Sequence, residues 1–242
     1  MSIETKNNKF ASIFSKKYWK EATLQLKDVR MITIAALIVA LRIAVKFFKI
    51  RLAPGLNISL DAYVNSLGSV IYGPIIGLVV GSISDILGCI ATGQMAEYFF
   101  PFMFVEMMSS FIFGLFFWKR KITITRALTS KFTVNFICNI IMTSLFNKWY
   151  LYLYVGIKQA QAFRLINGIR IVKNLILFPL EAAIIIIVLS AALPIIARLK
   201  LVDKKYSYIE KPSNRELARK IALLTAISLE IIFIYLWITT SK

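Results

Sequence analysis

Long apolar blocks separated by short polar breaks fill the chain between residues 31 and 198. A block of about 20 apolar residues is long enough to cross the hydrocarbon core of a bilayer. Most of these blocks lack the polar face of a core helix in a soluble protein. The pattern predicts helices near 31–50, 59–72, 74–91, 99–118, 131–154 and 170–197. We therefore expect an all-α fold, a polytopic membrane protein with a six-helix bundle.

Charged segments flank this bundle and divide the chain into three predicted parts. Residues 1–30 are basic and form an N-terminal extension, either an amphipathic helix on the membrane surface or a flexible tail. Residues 31–198 form the membrane domain. Residues 199–242 combine a charged linker with a further apolar run at 221–238, which either spans the membrane, lies along it or docks on a partner.

Basic residues greatly outnumber acidic ones, 30 to 12. They lie at the ends of apolar blocks rather than in one patch, so we expect no nucleic-acid partner. Lysine and arginine are most frequent in 1–30, 119–131 and 198–220. By the positive-inside rule, this distribution predicts a multi-pass protein of a bacterial plasma membrane with a cytoplasmic N-terminus. The cations left on the outer side, Arg42 and Arg51 among them, suit an anionic ligand arriving from outside.

Several kinds of chemistry are disfavoured by missing residues. The chain has no histidine, no phosphate-binding loop and two cysteines in separate apolar blocks. We expect no enzyme activity, no cofactor and no metal site. An intramembrane enzyme stays as a minor alternative because Asp85, Glu106 and Glu181 could converge, and a structural membrane subunit without a ligand is another.

Small residues mark contact faces on two predicted helices. Ala36, Ala40 and Ala44 form a stripe on the first helix, which lets another helix approach closely. At about 100° per residue, Arg42 lies nearly opposite that stripe. On the third helix, glycines and then Asp85 recur every four residues. Asp85 should therefore point into the bundle, either for a structural hydrogen bond or for a ligand.

Hydrogen-bonding side chains form a stripe on the fifth helix, at Asn135, Asn139, Thr143 and Asn147. They suit either a ligand rich in donors and acceptors or neighbouring helices. Trp149, at the outer end, is either an aromatic anchor at the membrane interface or a stacking surface for a flat heterocycle.

Charged and polar residues begin the sixth helix at Arg170, Lys173 and Asn174, which share one face. They could clamp carboxylates at the outer mouth, or the basic residues could pair with Glu181 or Asp85. Tyr98 lies in the outer break before the fourth helix, where it could form part of a lid.

These motifs together resemble the substrate-binding S components of energy-coupling-factor (ECF) vitamin transporters. The resemblance covers roughly residues 28–200 and rests on the alanine stripe and on a glycine-rich run that matches at Gly73, Pro74, Gly77, Gly81, Asp85 and Gly88. The Asn-rich segment leading into Trp149, and the Arg170–Pro179 segment, look most like those of the folate members.

The resemblance implies a function and a set of partners. An S component binds its vitamin from outside, associates with a membrane coupling subunit and two ATP-binding-cassette ATPases, and topples in the bilayer to release the vitamin inside. Folate is then the expected ligand, with thiamine, riboflavin and pantothenate as alternatives. By the same resemblance, Ala36, Ala40 and Ala44 contact the coupling subunit, and the loops 51–59 and 91–98 act as gates.

Overall fold

A computed structural model describes residues 13–53, 56–163, 168–202 and 209–210 of the chain. Its α-helices and β-strands are α1 (Lys16–Leu24), α2 (Val29–Lys46), β1 (Lys49–Ala53), β2 (Leu56–Ser59), α3 (Asp61–Ala91), α4 (Pro101–Phe117), β3 (Ile122–Thr123), α5 (Ile124–Val134), α6 (Thr143–Tyr150), α7 (Ile157–Ala162), α8 (Gly168–Arg198) and β4 (Ile209–Glu210). Two π-helical segments, Asn135–Met142 and Leu151–Val155, join α5 to α6 and α6 to α7. The all-α class predicted from the sequence is confirmed, with only short strand pairs added.

The centre of the bundle is the packing of α3 against α4 on one side and α2 on the other. Glycines allow the close approach of α3 to α4. A Cβ atom at Gly81 would lie 2.7 Å from the Glu106 carbonyl oxygen, and one at Gly77 would lie 3.1 Å from that of Ser110. The predicted contact face of small residues is therefore confirmed, and α4 is the helix that occupies it.

A break divides α3 at Gly73 and Pro74, where the sequence predicts the boundary between two helices. Gly73 has φ 79°, a conformation that other residues rarely adopt, and Pro74 has no amide hydrogen for the helix ladder. The Trp118 ring covers Gly73 so closely that a Cβ there would lie 2.7 Å from the indole. Gly114 of α4 packs directly on Pro74. The two halves of α3 are thus fixed at the break by tight packing.

The N-terminal helix α1 packs against the end of the bundle. Ser15 caps it by accepting a hydrogen bond from the Lys17 amide. Tyr18 is buried with its ring edge-on to Trp118 at 5.0 Å. Lys119 donates a 2.8 Å hydrogen bond to Glu21, and this bond lowers the pKa of the Glu21 carboxyl. The extension thus contains a helix at 16–24 that is attached to the bundle, and its location at the membrane surface stays a prediction.

The first predicted helix ends earlier than expected. α2 stops at Lys46, and β1 and β2 form an antiparallel pair in which Lys49 is opposite Ser59. The prediction of helix up to residue 50 is therefore wrong. Pro54 disfavours helical backbone in the residue before it, which agrees with the extended backbone of Ala53 at the end of β1.

Apolar side chains cover the outside of the bundle. Leu37 on α2, Phe104 on α4 and Ile187 and Ile195 on α8 are all largely exposed, as expected for surfaces in contact with lipid. Asp61–Ala91 and Leu177–Arg198 are each long and apolar enough to cross a membrane. The apolar run at 221–238 lies outside the described residues.

Candidate functional site

A buried ion network joins α2, α3 and α4. Arg42 is fully buried, and its Nε and Nη2 atoms donate to the two Asp61 carboxylate oxygens, both at 2.7 Å. Nη2 also donates to Glu106 Oε2 at 2.7 Å, and Nη1 donates to Ser110 Oγ at 3.3 Å. Asn65 accepts from Ser110 at 2.8 Å. One guanidinium on α2 is thus the common partner of groups on α3 and α4.

Arg42 therefore does not serve as a free outer cation. The sequence counted it among the positive charges available to an anionic ligand, and the structure contradicts that expectation. Asp61 is 19 positions away along the chain and Glu106 is 64. No local spacing could reveal these partners, because they meet only when three helices pack together.

A second polar chain links α2 and α3 to the segment before α4. Lys46 Nζ lies 3.7 Å from Asp85 Oδ1 and donates to the Ser84 carbonyl oxygen at 3.1 Å. Tyr98 donates its hydroxyl to Asp85 Oδ2 at 2.9 Å. Asp85 is 9% exposed, so the prediction that it points into the bundle is confirmed. Its contacts in the described residues are an ion pair with Lys46 and a hydrogen bond that holds Tyr98 beside the bundle.

Three amides meet between α5 and α8. Asn139 Nδ2 donates to Asn135 Oδ1 at 3.1 Å and to Asn174 Oδ1 at 3.2 Å. Asn135 is 4% exposed, and its own Nδ2 has no hydrogen-bond partner among the described residues. The sequence predicted all three as site residues, and the fold brings them together. We refer to Asn135, Asn139 and Asn174 as the amide cluster.

Two members of the amide cluster, Asn135 and Asn139, lie in a π-helical segment, which the sequence did not predict. The wider turn leaves backbone groups to be satisfied differently, and Thr143 donates its hydroxyl to the Cys138 carbonyl oxygen at 2.8 Å, five residues back. Thr143 therefore does not extend the stripe of amides, and Asn147 makes no hydrogen bond to the cluster. π-helical turns are rare and are often found at functional sites.

Aromatic rings pack together around Phe99, in the segment before α4. Phe99 is buried and makes edge-on contacts with Trp149, Tyr150 and Tyr154, at centroid distances of 5.6, 5.5 and 6.0 Å. Trp149 is 49% exposed. It lines a groove of about 470 Å³ with Tyr152 and Lys148, between α6 and α7. One part of the Trp149 ring thus packs against Phe99, and the rest is exposed on the surface of the bundle.

An ion pair ties α5 to α8. Lys131 Nζ lies 2.9 Å from Glu181 Oε2, and Lys131 is 3% exposed. The sequence predicted Arg170 or Lys173 as a partner of Glu181, and it predicted that Lys131 lies at the cytoplasmic end of a helix. Lys131 was missed because its partner is on a helix 50 residues further along.

Three predicted cations fall where only the backbone is described. Arg51 lies in β1, and Arg170 and Lys173 lie in the first turns of α8. Asn174 follows them directly and joins the amide cluster. The start of α8 is therefore next to the cluster, and the predicted roles of the three cations stay predictions.

The alanine stripe of α2 faces away from the bundle. Ala36, Ala40 and Ala44 are all exposed, whereas Ile38 and Arg42 on the other side are buried. A row of three small exposed residues, uncovered by the rest of the described chain, leaves space for a helix of another protein.

An apolar helical bundle that encloses polar groups is the architecture of a membrane protein. Residues 30–189 match the family described as "ECF transporter, substrate-specific component". The chain belongs to this family, which is a transporter component rather than a class of enzymes.

Two curated relatives support this assignment. The chain is 25% identical over 179 residues to a protein of Clostridium novyi (strain NT) named "Folate transporter FolT", covering 74% of this chain and 96% of that protein. It is 27% identical over 161 residues to a protein of the same name from Leuconostoc mesenteroides subsp. mesenteroides, covering 65% and 83%.

The fold is also similar to that of a FolT crystallised with folic acid. The TM-score is 0.53 at 23% identity, over 64% of this chain and 89% of that one. The similarity supports the fold, an all-α bundle as the sequence predicted.

Proposed function

We propose that this chain is the folate-capturing subunit of an ECF importer, which binds folate at the outer face of the membrane and delivers it inward. The observation that carries the proposal is that curated relatives named as folate transporters align along most of their own length. The chemistry of the described residues suits such a ligand. Folate joins a flat pterin ring to a glutamate tail, and the amide cluster offers hydrogen-bonding groups beside the basic start of α8.

The division of labour within the site follows from these positions. Asn135, Asn139 and Asn174 bind the polar edge of the ring. Arg170 and Lys173 lie up to one helical turn before Asn174 and bind the carboxylates of the tail, with Arg51 as a further cation. Trp149, beside Phe99, supplies an aromatic surface at the outer side.

Closure of the site involves the outer segment 91–98. Tyr98 is the contact that holds this segment to the bundle, through Asp85. Because Asp85 also pairs with Lys46, a movement of this segment would alter the contacts of Lys46 on α2. Asp85 therefore acts mainly through Tyr98, as a positioning group for the gate.

Delivery depends on partners. The exposed stripe Ala36, Ala40 and Ala44 binds the coupling transmembrane subunit, and two ATP-binding-cassette ATPases attached to that subunit hydrolyse ATP. This arrangement is typical of the family and is consistent with a chain that has no phosphate-binding loop. The protein works in the bacterial plasma membrane, with its N-terminus on the cytoplasmic side.

Isothermal titration of the detergent-purified full chain with folate, thiamine and riboflavin tests the substrate. We expect one-to-one binding of folate without ATP or partners, and no binding of the other two vitamins. Tight binding of thiamine or riboflavin, with none of folate, would keep the chain as an S component and reject folate as its ligand.

A further inference from the structure

The side chain of Asn135 has hydrogen-bond donors that no described residue satisfies. Its Nδ2 atom is buried, the residue is only 4% exposed, and no acceptor for it lies in the part of the chain that the structure describes. Buried amides are almost always paired, because leaving a donor without a partner costs most of its hydration. A donor kept unpaired in the interior therefore needs an explanation, and an acceptor on a bound ligand provides one.

The rest of the cluster fixes the direction of this amide. Asn139 Nδ2 uses its two hydrogens, one toward Asn135 Oδ1 and one toward Asn174 Oδ1. An Asn side chain has two N–H donors and one carbonyl oxygen. Asn135 thus accepts from Asn139 with its oxygen, and its Nδ2 must point elsewhere.

The same bonds leave an acceptor next to that donor. Within the described ranges of the chain, no group donates to Asn139 Oδ1, and Asn139 is only half-buried. Asn135 and Asn139 lie one helical turn apart and touch at 3.1 Å. The cluster therefore presents a donor and an acceptor side by side.

We propose that this pair reads the edge of the pterin ring, with Asn135 donating to the ring carbonyl oxygen and Asn139 accepting from an adjacent ring N–H. The inference rests on the proposed function and adds to it the group by which the ring is recognised. A 2-amino-4-oxopterin carries a carbonyl acceptor at position 4 beside the N3–H donor, which complements the cluster. A 2,4-diaminopterin has an amino donor at position 4, which would face the Asn135 donor.

The two amides should therefore prefer folate to aminopterin, because the two compounds differ at position 4 of the ring. A site built to hydrogen-bond one group rejects an analogue that leaves its polar group unpaired. We expect the wild-type chain to bind folate about tenfold to a hundredfold more tightly than aminopterin, the range set by one buried hydrogen bond.

Substitution of Asn135 supplies the decisive experiment. Asn135→Asp keeps an oxygen for Asn139 and replaces the donor with an acceptor, so the ratio of the two dissociation constants should reverse in favour of aminopterin. Asn135→Ala removes the donor without adding charge and should bring the two affinities together. Asn147→Asp adds the same charge to the same helical stretch away from the cluster, and its ratio should stay that of the wild type.

The affinities are measured by titration of the full chain, with thermal melting to check that each variant is folded. A folate-to-aminopterin ratio unchanged in both Asn135 variants would overturn the assignment while leaving folate binding intact. A wild-type preference for aminopterin would also overturn it, since the amides would then face the other way. If the wild type binds neither compound, the proposed function fails, and the inference fails with it.

Discussion

Replacing Arg42 with methionine should destabilise the bundle more than any single change on its surface. Methionine fills much of the same volume but leaves two carboxylates without their cation. Asp61 is 6% exposed, and Glu106 loses the partner of its Oε2 atom. Breaking a buried ion pair by removing one partner costs about 3–5 kcal/mol, because an uncompensated charge remains.

This energy corresponds to a measurable shift in melting temperature. For a protein of this size, each kcal/mol lowers the melting temperature by about 2–4 °C, which gives about 6–20 °C for Arg42→Met. The measurement is thermal unfolding of the purified chain in one detergent, without ligand. Arg42→Lys should be intermediate, because an ammonium cannot reproduce the paired bonds to Asp61.

A triple variant separates the loss of charge balance from the loss of packing. Arg42→Met combined with Asp61→Asn and Glu106→Gln has no charge in the network, so most of the lost stability should return. If Arg42→Met alone melts within about 2 °C of the wild type, the network contributes little. If the triple variant is no better than the single one, packing rather than charge explains the loss.

The other predictions concern binding, coupling and helix contact. Ala40→Trp should leave folate affinity unchanged and abolish uptake in cells that carry the coupling module, because Ala40 is exposed; a loss of affinity in titration would place the stripe in the binding site. Arg170→Ala and Lys173→Ala should each weaken folate binding by about tenfold or more, since charge-assisted bonds contribute about 1.5–3 kcal/mol; unchanged constants in both would reject these contacts. Gly114→Ala should lower the melting temperature, because its Cβ would lie 2.5 Å from Pro74 Cα, and unaltered melting would contradict the close packing at the break.

Periodicity and local chemistry were sufficient to predict the helical framework. The Gly73-Pro74 break depends on two neighbouring residues whose backbone preferences are strong, so the sequence alone locates it. The glycine face of α3 follows from spacing on a single helix. Both features are properties of a short segment, and for that reason they appear in the structure where they were expected.

The partners of the charged residues could not be obtained in this way. Arg42 and Lys131 lie in segments where a basic residue is equally typical of a helix end near the membrane surface. Their carboxylates, Glu106 and Glu181, come from helices 64 and 50 positions away, so only the packed bundle identifies them. The π-helical segments leave no pattern in hydrophobicity, and they changed which members of the predicted amide stripe meet.

The ion network of Arg42 also sets an order for biogenesis. A lone arginine in an apolar segment makes insertion into a membrane unfavourable by about 2.5–3.5 kcal/mol. Asp61 is synthesised only 19 residues after Arg42. The nascent chain can therefore enter the bilayer with α2 and the first half of α3 as a hairpin in which the charge of Arg42 is paired with Asp61. Glu106 is synthesised later, as part of α4. The network can therefore be complete only after the fourth apolar segment has been inserted.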